Sequence, residues 1–193
     1  NLQGDWQIVP KFIGQDGFDT VGDFSDGLAW FRKTISGQDG TYDGYGFIDS
    51  TGSVVIEPKF LAVNDFGQGL AGAVDKGYWG FIDRKGEFSI RPKFDGVGVF
   101  QEGLAPAKKD EQWGFIDRRG NWYIDPTFAD AGNFLDGIAP VKTADGWGYL
   151  DRLGEWIIPP SFDAAYAFAN GLGRVVGDGK TLYIDRQGDQ FFP

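Results

Sequence analysis

Short apolar segments alternate with polar turns along this chain, and they do so at a fixed interval. Tyr45-Gly46-Phe47-Ile48-Asp49 returns as Trp79-Gly80-Phe81-Ile82-Asp83, Trp113-Gly114-Phe115-Ile116-Asp117 and Trp147-Gly148-Tyr149-Leu150-Asp151. A worn copy follows as Thr181-Leu182-Tyr183-Ile184-Asp185, so the copies begin at 45, 79, 113, 147 and 181, a period of 34 residues. Three landmarks keep step: a turn glycine at Gly52, Gly86, Gly120, Gly154 and Gly188; a phenylalanine at Phe66, Phe100, Phe134 and Phe168; and a Gly-apolar pair starting at Gly69, Gly103, Gly137 and Gly171. The amino-terminal stretch joins the series, because Gly4–Pro10 matches Gly52–Pro58 and Phe18–Phe24 matches Phe60–Phe66. The first repeat then carries insertions near residues 12–17 and 33–44, and the whole of 1–193 reads as one domain of five repeats.

Glycine density argues against helices, since each glycine in a helix interior costs about 1 kcal/mol. The segments are aromatic and β-branched, bounded by Asp, Gly and Pro, which is the composition of strands and turns. Each repeat is expected to hold three strands: one after the Gly-Leu-Ala landmark, the Trp-Gly-Phe-Ile-Asp segment, and one ending at a proline. The stretch from Phe94 to Phe100 admits either a short fourth strand or an irregular loop. Period-2 alternation turns Trp79, Phe81 and Asp83 to one face and Gly80 and Ile82 to the other. Both sets are largely apolar, so this strand belongs inside a sheet covered on two sides. Pro106 and Pro140 place the Gly-Leu-Ala strand at a sheet edge, because proline has no N–H to donate.

The Trp-Gly-Phe-Ile-Asp…Gly…Ile-x-Pro-x-Phe pattern resembles the bacterial WG-repeat family over essentially the whole chain. That resemblance implies a β-rich repeat module attached to varied partners and brings no catalytic residues with it. The expected fold is all-β, with five repeats closed into a small five-bladed propeller-like ring, and an open β-solenoid as the alternative. Closure is favoured because the first repeat begins at its third strand and the last ends after its second, so one terminus can complete the sheet of the other.

Composition narrows the chemistry. With 18 Lys+Arg against 28 Asp+Glu the formal net charge is −10, which opposes nucleic-acid binding and docking on an anionic membrane. No run approaches the roughly 18 apolar residues of a membrane helix, so membrane insertion is not expected. Cys and His are both zero, removing thiol nucleophiles, imidazole bases and the usual zinc ligands together. The lack of Cys and of an initiating Met leans toward an exported, extracytoplasmic chain, although an excised domain explains both.

The recurring acids Asp49, Asp83, Asp117, Asp151 and Asp185 read as turn-formers, because acid–base catalysis needs a distinct pair of carboxylates rather than one copied around an array. Trp79, Gly80 and Asp83, with Trp113, Gly114 and Asp117 and with Trp147, Gly148 and Asp151, form the repeat signature, and the tryptophans read as core. Asp16, Asp39 and Asp43 in the Gly-rich insertions offer a weak calcium possibility; no other cofactor or metal is expected.

Binding chemistry is sought where copies disagree. At the third residue after the landmark glycine stand Trp30, Gly72, Pro106, Pro140 and Arg174. Trp and Arg are enriched at binding hot spots. Trp30 leads into the insertion holding Tyr42, so Trp30, Tyr42 and Arg174 are the candidate ligand-binding residues. The expected function is a non-catalytic binding or scaffold module recognising a protein or peptide. A lectin-like glycan binder is the alternative, and a hydrolase ranks last because its catalytic set is missing.

Overall fold

The structure, a computed structural model, describes residues 18–37 and 40–191. The Gly4–Pro10 match, the insertion near 12–17, Asp16 and Asp39 lie outside these residues. All regular structure among the described residues is β, in five separate four-stranded antiparallel sheets. The first holds β1 (Thr20–Val21), β2 (Leu28–Gly37), β3 (Gly40–Asp49) and β4 (Val54–Phe60), and the second holds β5 (Val63–Gly67), β6 (Leu70–Asp75), β7 (Tyr78–Ile82) and β8 (Phe88–Phe94). The third runs through β9 (Gly96–Val97), β10 (Leu104–Lys109), β11 (Gln112–Asp117) and β12 (Trp122–Phe128). The fourth comprises β13 (Asp130–Ala131), β14 (Ile138–Thr143), β15 (Gly146–Asp151) and β16 (Trp156–Phe162). The fifth comprises β17 (Ala164–Ala165), β18 (Gly173–Gly177), β19 (Lys180–Ile184) and β20 (Gln190–Phe191). Among the described residues no ladder runs from one sheet to the next. The chain divides into two compact units at the Lys93–Phe94 boundary.

Strand order corrects one expectation. The Gly-Leu-Ala strand is not an edge: β10 lies between β9 and β11, and β14 between β13 and β15. The prolines are accommodated because the ladder toward the short strand stops at them. Gly98 N–H donates to the Pro106 carbonyl at 2.8 Å, and the reciprocal bond, which proline cannot make, is where β9 ends. Gly132 and Pro140 repeat the arrangement at 2.8 Å. The stretch from Phe94 to Phe100 thus does contain a short strand.

The glycine of Trp-Gly is required by its neighbour strand. Trp113 pairs with Phe128 and Phe115 with Ile124, so Gly114 alone faces Asp125-Pro126-Thr127, a bulge built around the proline. A Cβ at Gly114 would sit 2.5 Å from the Ile124 carbonyl oxygen and 2.7 Å from the Pro126 nitrogen. Gly80 and Gly148 meet the Ile90 and Ile158 carbonyls at 2.5 and 2.6 Å, and Gly46 meets that of Ile56.

Within each compact unit, neighbouring sheets are joined by phenylalanine. Phe47 of the first sheet meets Phe66 of the second edge-on at 4.7 Å, Phe115 meets Phe134 at 4.7 Å, and Tyr149 meets Phe168 at 4.9 Å. All six rings are fully buried. Among the described residues no tryptophan is one of the largest fully buried side chains: Trp79, Trp113 and Trp147 are half-buried, covering the core rather than filling it.

A polar staple repeats at one end of the sheets. Asp26 sits in a left-handed turn at φ 51°, where its carboxylate accepts the Gly69 N–H of the next sheet at 2.5 Å. Arg84, from the second sheet's Asp-Arg turn, donates to the Asp26 carbonyl and lies 3.0 Å from its carboxylate. Glu102 accepts from Gly137 at 3.0 Å while Arg152 donates to the Glu102 carbonyl at 2.6 Å, and Arg186 donates to that of Asp136 at 2.5 Å.

Gly114→Ala is expected to lower stability by about 1–3 kcal/mol, read as a reduced urea midpoint at unchanged m-value. An unaltered midpoint would show that the bulge yields and does not dictate glycine.

Candidate interaction surface

The recurring carboxylates are consumed by turns. In each hairpin the aspartate Oδ1 accepts the N–H groups two and four residues on: Thr51 and Ser53 at 2.8 and 3.0 Å for Asp49, Lys85 and Glu87 at 2.8 and 3.1 Å for Asp83. Asp117, Asp151 and Asp185 do the same at 2.8–2.9 Å. The Thr51 hydroxyl and then the Ser53 N–H hold Asp49 below its usual carboxylate value. At Asp117, burial pushes upward as the largest single influence, but hydrogen bonds from Asn121 and Arg119 together outweigh it and the carboxyl is again held low.

The insertion near 33–44 is a lengthened hairpin: β2 and β3 pair without interruption from Leu28↔Asp49 to Gly37↔Gly40, each strand ten residues long. Asp43, one of the calcium candidates, lies 3.5 Å from the Arg32 guanidinium and accepts from the Thr34 hydroxyl at 3.1 Å. Among the described residues no group of three or more His, Cys, Asp or Glu is placed to hold a metal ion.

Trp30 and Tyr42, the two candidate ligand-binding residues of the first sheet, are not brought together. Trp30 faces Phe47 and Ile35 faces Tyr42, an odd number of steps apart on β2, so Trp30 and Tyr42 lie on opposite faces of the hairpin. Trp30 is half-buried; its indole lies over Gly22, where any Cβ would overlap it, and 6.0 Å from Tyr45. Tyr42 is 49% exposed. Arg174 belongs to the other compact unit, in the fifth sheet.

Arg174 stands in a row that sequence reading left incomplete. Tyr166 N–H donates to the Arg174 carbonyl at 3.0 Å, Arg174 is directly opposite Tyr183, and residues so paired share a face. The guanidinium carbon lies 3.6 Å from the Tyr166 ring centroid, and Tyr166 and Tyr183 are 43% and 44% exposed. The matching rows of the first, third and fourth sheets are Gly22–Trp30–Phe47, Gly98–Pro106–Phe115 and Gly132–Pro140–Tyr149, whose last members are buried under the next sheet's phenylalanine. The signal for Tyr166 lay in comparing copies at the cross-strand partner as well: Pro106 and Pro140 face glycines because their rings would touch any side chain there, at 2.5 and 2.7 Å from the added Cβ. Arg174 lacks that ring, and its partner is a tyrosine.

Beneath this row the Tyr149 hydroxyl donates to the Tyr166 carbonyl at 2.9 Å, tying the fourth sheet to the fifth. Burial pushes the Tyr149 phenol up to about 12.

Five four-stranded sheets carrying one motif in register define an all-β repeat domain. The chain belongs to the WG containing repeat family, whose model matches residues 17–34, 45–79, 79–113, 113–146 and 147–180. The unmatched 35–44 falls on the lengthened hairpin. No curated protein sequence matches the chain. A solved structure described as KlHsv2 with loop 6CD replaced by a Gly-Ser linker is similar at TM-score 0.57 and 9% identity, over 90% of this chain and 64% of that one. The extracellular domain of BT4673 from B. thetaiotaomicron is similar at TM-score 0.53 and 10% identity, over 92% of this chain and 28% of that one. This chain therefore spans under two thirds of either structure's length, and at such identity the likeness is one of fold alone.

Stability should fall at both ends of the pH scale. Asp49 and Asp117 ionise more readily folded than unfolded, so their contribution is complete above the unfolded value near 3.8 and is lost as pH drops through the folded one. Tyr149 holds its proton more tightly when folded, so its contribution is complete below the ordinary value of 10.0 and is lost as pH rises toward about 12. Tyr149→Phe should therefore flatten the alkaline limb of a denaturation–pH profile, and Asp117→Asn the acid limb; limbs identical to wild type would refute the assignment.

Proposed function

We propose that this domain is a non-catalytic binding module for a protein or peptide, with the exposed Tyr166–Arg174–Tyr183 row as its principal contact surface. The observation that carries the reading is a contrast between copies: the face that other sheets spend on burying Phe47, Phe115 and Tyr149 is left open in the fifth and furnished with an arginine and two tyrosines. Tyrosine and arginine supply large contact area and fixed donors, the combination enriched where proteins bind. The acids of the array favour the same reading, since each recurring aspartate spends one carboxylate oxygen, Oδ1, on two backbone N–H groups of its own turn. Exposed Tyr42 on the lengthened hairpin extends the proposal to the first sheet as a second contact point. Trp30, packed on Gly22, supports its own sheet.

The test is selection of a displayed random-peptide library on the immobilised domain, alongside a panel of oligosaccharides. Arg174→Ala should keep the wild-type unfolding free energy in urea to within about 0.5 kcal/mol, as surface changes do, and weaken selected peptides about tenfold or more. Peptides that bind Arg174→Ala and wild type equally would remove this surface. Saturable binding of an oligosaccharide with no peptide selected would establish the glycan alternative instead.

A further inference from the structure

A different place in the molecule carries a more specific chemistry. Between β4 of the first sheet and the turn entering β8 of the second lies an open groove of about 420 Å3, lined by Lys59, Phe60, Asp75, Gly86, Glu87 and Phe88. Its floor is the edge-on pair Phe60–Phe88, with ring centroids 5.8 Å apart. The same crossing recurs as Phe94–Trp122 at 5.7 Å and Phe128–Trp156 at 6.3 Å. In those two copies the residue at the position of Phe88 is the larger tryptophan.

The polar rim is also peculiar to this copy. Asp75 and Glu87 correspond by the 34-residue period to Lys109 and Asn121 in the next repeat and to Thr143 and Glu155 in the one after, so of these three copies only this one has carboxylates at both positions. A cation already lies near its floor, because the Lys59 ammonium is 5.2 Å from the Phe60 ring centroid. An aromatic face that takes one ammonium, beside two acids, in a chain of net charge −10, is complementary to another cation.

We propose that this groove is a binding site for a lysine or arginine side chain of a basic peptide segment. The aliphatic stem lies along the Phe60 and Phe88 rings and the charged head reaches Asp75 and Glu87, the division that long cationic side chains adopt between apolar and polar surroundings. Lys59 competes for the Phe60 face and is displaced on binding. The site shares with the proposed function only the peptide nature of its ligand and none of the residues, so failure here leaves the Arg174 experiment standing.

The probe is a dye-labelled, end-blocked tetralysine, titrated with the whole 193-residue chain at about 0.15 M salt, where attraction between distant charges is largely screened. Its fluorescence polarisation is compared with that of a labelled tetraglutamate. Phe88→Trp closes the groove with the residue that the Trp122 and Trp156 positions already accommodate, and leaves every charge in place. Wild type should bind tetralysine and not tetraglutamate, Phe88→Trp should weaken binding about tenfold, and Lys59→Gln should strengthen it. The paired change Asp75→Asn, Glu87→Gln should weaken binding comparably and serves if Phe88→Trp unfolds in urea before wild type. Equal affinity of wild type and Phe88→Trp would show diffuse attraction to an acidic surface and overturn the proposal, as would no binding by wild type.

Discussion

A sheet with strands of about six residues and apolar side chains on both faces cannot bury itself. That constraint governs this molecule. Phe47, Phe115 and Tyr149 each lie on a face that becomes dry only when the next sheet brings Phe66, Phe134 or Phe168 against it. A repeat is therefore half of two interfaces before it is a structure, and stability accumulates by neighbours rather than around one centre. Edge-on aromatic pairs add about 0.5–1.5 kcal/mol each beyond the area they bury. The staple from Asp26 to Gly69 and Arg84 fixes the spacing at which those rings meet, because its donors come from the neighbouring sheet.

Much of this was legible in the residues, for a physical reason. A hairpin that needs an aspartate to hold two N–H groups and a strand that must pass a carbonyl at the Cβ position of Gly114 leave few substitutes, so the same letters recur in phase. The position of the Gly-Leu-Ala strand was not legible, because proline argues for an edge only if its nitrogen faces a continuing ladder. Here the partner β9 is two residues long and ends where the missing bond would fall. The tryptophans misled in a related way. Recurrence signals a shared environment, and a half-buried cover recurs as faithfully as a core; Phe81 and Ile82, not Trp79, are the fully buried members of that strand.

The surfaces proposed for binding were only partly visible. Arg174 announced itself by breaking a pattern, whereas Tyr166 had to be found through the ladder, since the two are eight residues apart in sequence and touch only because β17 and β18 pair. Tyr42 and Trp30 are close in sequence yet face opposite ways, a separation that strand alternation imposes and proximity in the chain conceals. The groove at Phe88 depends on a size difference between phenylalanine and tryptophan, and only the packing partner Phe60 gives that difference meaning.

The glycine–proline pairs also constrain descent. Where Pro106 covers Gly98, a side chain at 98 and the ring at 106 claim the same volume. If the Tyr166–Arg174 pair arose by divergence from such a repeat, only one order of the two changes avoids a clash. A tyrosine arriving first would strike the proline ring, whereas an arginine arriving first leaves the glycine beside it unharmed. From a glycine–proline repeat the passable intermediate is glycine with arginine, so on that route the charge precedes the ring and the cation–π contact refines an already exposed cation.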